Sequence, residues 1–375
     1  MTTDLAAYAL RDTADILTPA LLIYPDVVDA NIQTTIRILG DAGRWRPHVK
    51  TAKLAYTMRR MVELGVKQSK CATTAELSTA CEAGMSDVLL AYSMVGANAR
   101  RVREIAARFP NVRLSVLVET AEQAAAWTGS PLGIFVDVNP GMNRTGVSQD
   151  RADEVDRIVR SARAAGIAVR GLHYYDGHVR DADMDARRKT AFAGYDKLME
   201  IVAVVEKGGP VEEVITSGTP SFPCGAEYPG FLGAKFIHRV SPGTVVYNDT
   251  SSLVQLPGLG YQPAVAILSS VVSHPKPNVA TCDGGHKSVS ADEGVPTCAV
   301  LGRPDATPMK PSEEHLPIEF ASGVPAIGEL LYLIPRHVCP SVNNFDYALL
   351  VREGKIVAVE PVTARGHETR LAATA

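Results

Sequence analysis

The sequence lacks the features that mark several classes of protein. Its six cysteines are scattered and include no Cys-x-x-Cys pair, so neither a disulfide framework nor a structural zinc knuckle is expected, and free thiols are predicted. No apolar run approaches the roughly 20 residues that a membrane-spanning helix needs, and the first five residues lack the basic-then-apolar layout of a signal peptide. A cytoplasmic protein is therefore expected.

The charge of the chain is almost balanced. There are 38 Lys and Arg residues against 41 Asp and Glu residues, which gives a formal net charge of -3. The basic residues are spread along the chain, so nothing indicates a nucleic-acid partner, and a small molecule is expected instead. With 375 residues, 46% of them hydrophobic, the chain can bury a large core and is predicted to form two domains.

Residues 20 to 245 alternate short β-rich runs with alanine-rich helical stretches. The strand candidates are residues 21–24, 45–49, 70–72, 88–91, 113–118, 133–138, 169–174 and 214–216. Because βαβ crossovers cover both faces of a parallel sheet, this repetition predicts an α/β fold of the TIM-like (β/α)8 barrel type. An open doubly wound sheet is the alternative, although no Gly-x-Gly-x-x-Gly fingerprint follows the first strand candidate.

Past residue 250 the pattern changes to short alternating stretches separated by Pro and Gly turns. This change predicts that the barrel is followed by a smaller C-terminal β domain. The expected domains are residues 18–248 for the barrel and residues 249–375, joined by residues 1–17, for the β domain.

A lysine at the end of the second strand candidate is the first candidate catalytic residue. It stands in the segment Arg46-Pro47-His48-Val49-Lys50-Thr51. The C-terminal ends of barrel strands line the active site, and a partly desolvated Lys50 there can act as a nucleophilic amine. From spacing alone, the alternative is that Lys50 and Lys53 are a pair of surface lysines.

Three further polar segments follow other strand candidates. Arg144 follows the strand that contains Asp137, and Tyr175 and His178 follow the next strand. His178 is the best-placed group for proton transfer near neutral pH. The last strand leads into Ser217-Gly218-Thr219, whose hydroxyl and backbone N–H groups suit a dianion. Each segment alone is also compatible with an ordinary loop.

These segments resemble the D-threonine aldolase and D-serine dehydratase family, which belongs to the pyridoxal-phosphate enzymes built like alanine racemase (fold type III). The resemblance rests on Arg-Pro-His-x-Lys-Thr, Asp-x-x-x-Gly-x-x-Arg-x-Gly and Gly-Leu-x-x-Tyr-x-Gly-His. It implies that pyridoxal 5'-phosphate forms a Schiff base with Lys50, that Arg144 reaches its phenolic oxygen, and that Tyr175 lies near its ring. It also implies a phosphate cradle made of Ser217, Gly218, Thr219, Gly243 and Thr244.

A candidate metal site lies near the end of the chain, in Arg336-His337-Val338-Cys339-Pro340. In an extended strand His337 and Cys339 project to the same face and can bind one ion together. Two protein ligands leave positions for water and substrate, which suits a catalytic metal. The same family resemblance implies that this pair binds a divalent metal. The ligand types favour zinc, with manganese and magnesium as alternatives.

The resemblance implies a pyridoxal-phosphate- and metal-dependent lyase acting on D-β-hydroxy-α-amino acids. The favoured reaction is retro-aldol cleavage of D-threonine-like substrates to glycine and an aldehyde, with His178 as the base. The alternative is dehydration of D-serine or 3-hydroxyaspartate to a 2-oxo acid and ammonia. An amino-acid racemase, which needs no metal, and a non-catalytic carrier of pyridoxal phosphate are more distant alternatives. The resemblance also implies a homodimer.

Overall fold

The structure is a computed structural model that describes residues 5–369. Residues 1–4 and 370–375 lie outside the described residues. The predictions that fall on them are their assignment to the β domain and the expected lack of a signal peptide at the start of the chain. The chain divides into two compact units. The strand-rich unit comprises the described residues up to Thr34, Thr51–Thr57 and Thr244–Gly366, and the barrel unit comprises Thr35–Lys50, Met58–Gly243 and the described residues from His367.

Strands and helices are numbered in chain order. The strands are β1 Ala20–Ile23, β2 Gln68–Cys71, β3 Asp87–Leu90, β4 Arg113–Val118, β5 Gly133–Asn139, β6 Val147–Ser148, β7 Val169–Tyr174, β8 Glu213–Thr216, β9 Ile237–Val240, β10 Val265–Lys276, β11 Val279–Cys282, β12 Cys298–Val300, β13 Ala306–Pro308, β14 Leu316–Phe320, β15 Leu330–Pro335, β16 Tyr347–Arg352 and β17 Lys355–Pro361. The α-helices are α1 Pro25–Leu39, α2 Ala55–Glu63, α3 Thr74–Glu82, α4 Gly96–Arg108, α5 Ala121–Ala125, α6 Ala152–Ala164, α7 Met184–Val205, α8 Phe222–Glu227, α9 Pro229–Leu232, α10 Thr250–Gln255 and α11 Val338–Asn343.

The barrel unit is a curled parallel sheet with the strand order β2-β3-β4-β5-β7-β8-β9, and β6 pairs with β5. Residues 45–49 join its two edges, because Trp45 bridges Val240 of β9 and His48 bridges Lys70 of β2, both in parallel. This segment was predicted as a full strand but makes only single bridges. Pro47, which has no N–H to donate, contributes its carbonyl to Lys70. The predicted (β/α)8-type fold is confirmed.

Side-chain hydroxyls and carboxylates begin several of the barrel helices directly after the strand ends. Thr73 accepts a hydrogen bond from the backbone N–H of Glu76 at the start of α3, and Thr120 accepts one from Gln123 at the start of α5. Such caps satisfy N–H groups that have no partner within the helix. They fix the turns in which the polar residues of the strand ends lie.

The barrel closes around an apolar cluster and a buried ion network. Leu89, Leu117, Phe135 and Ile215 pack together in the cluster. Arg46 lies on the closing segment, residues 45–49, and has no exposed surface. It donates hydrogen bonds to the carboxylates of Glu213 and Asp87, which lie at the N-terminal ends of β8 and β3. The network therefore ties the closing segment to distant strands.

The strand-rich unit holds a sheet with the order β13-β14-β11-β10-β1-β16-β17. In addition, β15 pairs with β10, and β12 pairs with β15. Its core includes Leu22, Leu268, Tyr332 and Ile334. The assignment of residues 21–24 to the barrel was wrong, because β1 pairs with β10 and β16 of this sheet. Sequence reasoning missed two strands of the barrel sheet. They are the two-residue β6 and β9, whose Ile-His-Arg-Val sequence mixes apolar and charged residues.

Among residues 5–369, no helix combines the length and apolar composition needed to cross a bilayer. All six cysteines are buried and carry thiols rather than disulfides.

Candidate active site

A cavity of about 500 Å³ opens at the C-terminal ends of the barrel strands. Three of the residues predicted from sequence line it, namely Lys50, Arg144 and Tyr175. Lys50 directly follows the segment that closes the barrel, so closure itself brings its amine to the cavity. This is the position that barrel enzymes use for catalytic residues.

Lys50 is half-buried and stands beside His48 in the same cavity. The Lys50 backbone N–H donates to Nδ1 of His48 over 3.3 Å. Burial, together with the positive charges of Lys50 and Lys70, lowers the pKa of His48 well below its usual value. His48 is therefore neutral at physiological pH and shapes the turn without adding a cation.

The loop after β5 is held by carboxylates. Oδ2 of Asp137 accepts a hydrogen bond from Thr145 over 2.7 Å, and Glu119 accepts one from the Gly146 N–H over 2.6 Å. Gly146 has φ +95°, and a Cβ there would lie 2.9 Å from the Asp137 carbonyl oxygen, so the position requires glycine. These contacts fix the loop that carries Arg144.

Two basic side chains lie against the ring of Tyr175. The Arg144 guanidinium carbon lies 4.8 Å from the ring centre and Nζ of Lys70 lies 5.2 Å from it, both within the range of cation–π attraction. A Cβ on Gly218 would approach the same ring to 3.0 Å. Arg144 and Tyr175, which follow two neighbouring strands, thus contact each other in the cavity.

His178 lies elsewhere. Its side chain is exposed and lines a separate pocket of about 260 Å³ together with Gln149, Tyr174 and Lys197. The chain turns after β7, so Tyr175 faces the Lys50 cavity while His178, three residues later, does not line it.

The predicted phosphate loop is buried and organised by a residue that sequence reasoning did not select. Ser217 adopts φ +70°, an unusual conformation for a residue with a side chain. Asp176 accepts hydrogen bonds from the Gly218 N–H at 3.2 Å, from the Ser221 hydroxyl and from the Tyr195 hydroxyl. Burial raises the pKa of Asp176. The sequence feature that could have pointed to Asp176 is its place in the Tyr-Asp-Gly-His motif, between the two residues that were selected.

Gly243 and Thr244, predicted to complete the cradle, belong to different compact units. A Cβ on Gly243 would lie 2.4 Å from the His48 carbonyl oxygen, so only glycine fits beside the closing segment. Thr244 lies in the strand-rich unit, where its hydroxyl is 3.7 Å from Sγ of Cys339.

His337 and Cys339 are not on an extended strand, and that expectation was wrong. β15 ends at Pro335, His337 precedes α11, and Cys339 is its second residue. Asp249 accepts a hydrogen bond from the Val338 N–H over 3.1 Å, which helps to start the helix at this point.

The two side chains nevertheless meet. Burial lowers the pKa of His337, but the hydrogen bonds and charges of Cys339 and Asp292 outweigh it and raise the pKa to about 10. Nδ1 of His337 lies 2.6 Å from Asp292, and Sγ of Cys339 lies 3.0 Å from the Thr51 hydroxyl. An imidazole oriented by a carboxylate and facing a thiol suits a soft cation. Within residues 5–369 no group of three or more such ligands has the arrangement of a metal site.

Known proteins resemble the whole chain. Residues 23–250 match the family described as "Alanine racemase, N-terminal domain", and residues 264–351 match the "Putative serine dehydratase domain". A 3-hydroxy-D-aspartate aldolase from Paracoccus denitrificans is 30% identical over 97% of this chain and 96% of its own, and a D-threonine aldolase from Arthrobacter sp. is 27% identical over 86% and 85%.

The fold comparison agrees. The crystal structure of D-threonine aldolase from Filomicrobium marinum superposes with a TM-score of 0.85 at 26% identity, covering 94% of this chain and 96% of that one. The match of the barrel extends over more than half of the chain. The chain therefore belongs to the D-threonine aldolase and D-serine dehydratase-like family of pyridoxal-phosphate enzymes, the alanine-racemase-type lyases.

Proposed function

We propose that this chain cleaves D-β-hydroxy-α-amino acids related to D-threonine by a retro-aldol reaction that yields glycine and an aldehyde. The observation that carries the proposal is the cavity at the barrel strand ends, which Lys50 shares with Arg144 and Tyr175. Relatives named as D-threonine aldolase and 3-hydroxy-D-aspartate aldolase support the same class of substrate.

The residues present fit pyridoxal phosphate. Its covalent attachment is proposed at Lys50, and the volume of about 500 Å³ is in the range of small-molecule sites. Arg144 would bind the phenolic oxygen, and Tyr175 would pack against the ring. The phosphate would be held by Ser217, Gly218, Thr219, Gly243 and Thr244. When bound, the cofactor supplies the electron sink that this chemistry requires.

A divalent metal is proposed on His337 and Cys339, where it would polarise the β-hydroxyl group of the substrate. Asp292 would orient the imidazole, as carboxylates do behind many metal-bound histidines. The thiol favours zinc, and manganese and magnesium are the other candidates. A metal would bind the ring nitrogen of His337 that is not hydrogen-bonded to Asp292, and its binding would release the protons of the imidazole nitrogen and the thiol that it contacts.

Dehydration is the second candidate reaction. The match of residues 264–351 to a serine dehydratase domain favours it specifically. The same side chains would then act on D-serine or 3-hydroxyaspartate to give a 2-oxo acid and ammonia. A homodimer and a cytoplasmic location stay predictions. Light scattering of the purified protein measures its mass in solution and tests the predicted homodimer.

Product analysis tests the proposal. Purified protein with pyridoxal phosphate and a divalent metal is incubated with D-threonine and D-serine, with L-threonine as a control, and separately with D-alanine. Glycine with acetaldehyde supports the aldolase, whereas 2-oxo acid with ammonia supports the dehydratase. Loss of optical rotation of alanine without either product overturns both.

Variants of two lysines locate the reactive amine. Lys50→Ala is expected to lose the visible absorbance of bound cofactor, and Lys67→Ala, at an exposed lysine of the same unit, is expected to retain it. Persistence of the absorbance in Lys50→Ala contradicts the assignment of the cofactor lysine.

A further inference from the structure

A second lysine lines the cavity and has no part in the chemistry described so far. Lys70 lies on β2, is 2% exposed, and reaches the same cavity as Lys50. Buried lysines are rare because removal of an ammonium group from water is costly. A lysine buried at the wall of a cavity for a reactive cofactor therefore calls for a chemical explanation.

Lys70 begins a chain of three hydrogen-bonded side chains. Its Nζ lies 3.1 Å from Nε2 of His173, and Nδ1 of His173 lies 2.7 Å from Oδ1 of Asp137. Burial raises the pKa of Asp137, but the hydrogen bonds from His173 and Thr145 outweigh it and hold the pKa below its usual value. An ionised carboxylate only accepts, so the proton of His173 is on Nδ1 and Nε2 accepts from Lys70.

The surroundings of Lys70 disfavour a permanent ammonium. Burial and the positive charge of Lys50 lower the pKa of Lys70 to about 7. Asp137 and Asp176 act in the opposite direction and Arg144 adds to the lowering. The charged and titratable groups that line the cavity with Lys70 or act on its charge, besides His173, are His48, Lys50, Tyr92, Glu119, Asp137, Arg144, Tyr175 and Asp176.

We propose that Lys70 is the proton donor and acceptor of the cavity, and that His173 and Asp137 are positioning residues that fix its amine. This inference rests on the proposed function. In the retro-aldol reaction the Cα–Cβ bond breaks, the β-oxygen loses its proton as the aldehyde forms, and Cα gains a proton. Lys70, as a neutral amine, accepts the proton that the β-hydroxyl releases as the Cα–Cβ bond breaks. It then delivers that proton to Cα and returns to the neutral amine.

The proton transfers need no further reactant, because the β-hydroxyl releases one proton and Cα takes up one proton in each turnover. Acid–base catalysis works best when the group titrates near the working pH, which an ordinary lysine does not. The fixed hydrogen bond to His173 holds the amine in one position for both transfers.

The first test does not depend on activity. NMR of the full-length, cofactor-free protein labelled at lysine Cε and Nζ gives a titration curve for each lysine, and the resonance absent from Lys70→Met is that of Lys70. A midpoint near pH 7 is expected. His173→Phe should lower the midpoint because it removes an acceptor of the ammonium, and His173→Gln should restore part of the difference. A midpoint in the ordinary lysine range, about 10.4, overturns the proposal.

The second test compares variants loaded with cofactor. Lys70→Met is expected to keep the absorbance of cofactor on Lys50 and to unfold at the same urea concentration as the wild type, while kcat falls about 100-fold or more with little change in KM. Lys70→Arg, which cannot release a proton, should not restore the rate. Lys67→Met is the matched control on an exposed lysine of the same unit and should be unaffected.

The outcomes separate the two proposals. A Lys70→Met enzyme with the wild-type rate and pH profile overturns the role of Lys70 while the aldolase assignment stands. A wild-type protein that forms no product from D-threonine or D-serine overturns the proposed function, and the proton-transfer role that rests on it falls too, even where the resonance of Lys70 titrates near pH 7.

Discussion

Replacement of Arg46 tests whether the buried ion network keeps the barrel closed. Arg46 donates to Glu213 over 2.8 and 2.9 Å, to Asp87 over 3.1 and 2.9 Å, and to the Ser69 carbonyl over 3.2 Å. A sixth hydrogen bond runs to the Asp87 carbonyl over 3.3 Å. Arg46→Met removes all six and leaves Glu213, which is 1% exposed, without its main partner. Because Lys50 directly follows the closing segment, the same change should disturb the active site.

The expected loss follows from which partners remain. Removal of one member of a buried ion pair typically costs 3–5 kcal/mol of unfolding free energy. Arg239 still contacts Glu213 in the variant, and Asp87 can regain water because its side chain is 15% exposed. We therefore expect Arg46→Met to lower the unfolding free energy by about 3 kcal/mol, the lower end of that range.

Urea unfolding followed by tryptophan fluorescence measures the effect on the relevant unit, since both tryptophans, Trp45 and Trp127, belong to the barrel unit. Arg108→Met is the matched control. Its ion pair with Glu82 is exposed, so a change of less than about 1 kcal/mol is expected. If Arg46→Met lowers the unfolding free energy no more than this control, the network does not hold the barrel closed.

Two further substitutions examine predicted site residues. His178→Asn should lower kcat less than about 10-fold, because the His178 ring lines a pocket other than the Lys50 cavity. Loss of a general base typically lowers the rate about 10²–10⁴-fold, so a 100-fold fall in kcat would restore the catalytic role of His178. Cys339→Ser should lower the affinity for zinc at least about 10-fold in equilibrium dialysis, because a soft thiolate ligand is replaced, and Asp292→Asn should lower it less. An unchanged zinc content in Cys339→Ser contradicts the metal assignment.

Most of the barrel could be predicted from sequence because each βα repeat is local. Strand candidates 113–118 and 133–138 coincide with β4 and β5 to within one residue, since continuous apolar runs flanked by helical stretches are typical of buried parallel strands. β9 was missed because a strand of four residues with His and Arg has no such run. Local pattern also misplaced His337 and Cys339 on a strand, because the helix there begins at a contact from the distant Asp249.

Sequence alone determined the family and the class of chemistry, and it predicted Lys50 as the reactive lysine, because short motifs carry the residue types that the cofactor requires. Tertiary structure decided which sheet β1 joins, how residues 45–49 close the barrel, and that Lys70 meets His173 and Asp137. Strand partners and buried charge pairs depend on residues far apart in the chain, and a residue's own sequence neighbours do not specify them. Burial then sets the proton affinity of Lys70, which its position in the sequence does not reveal.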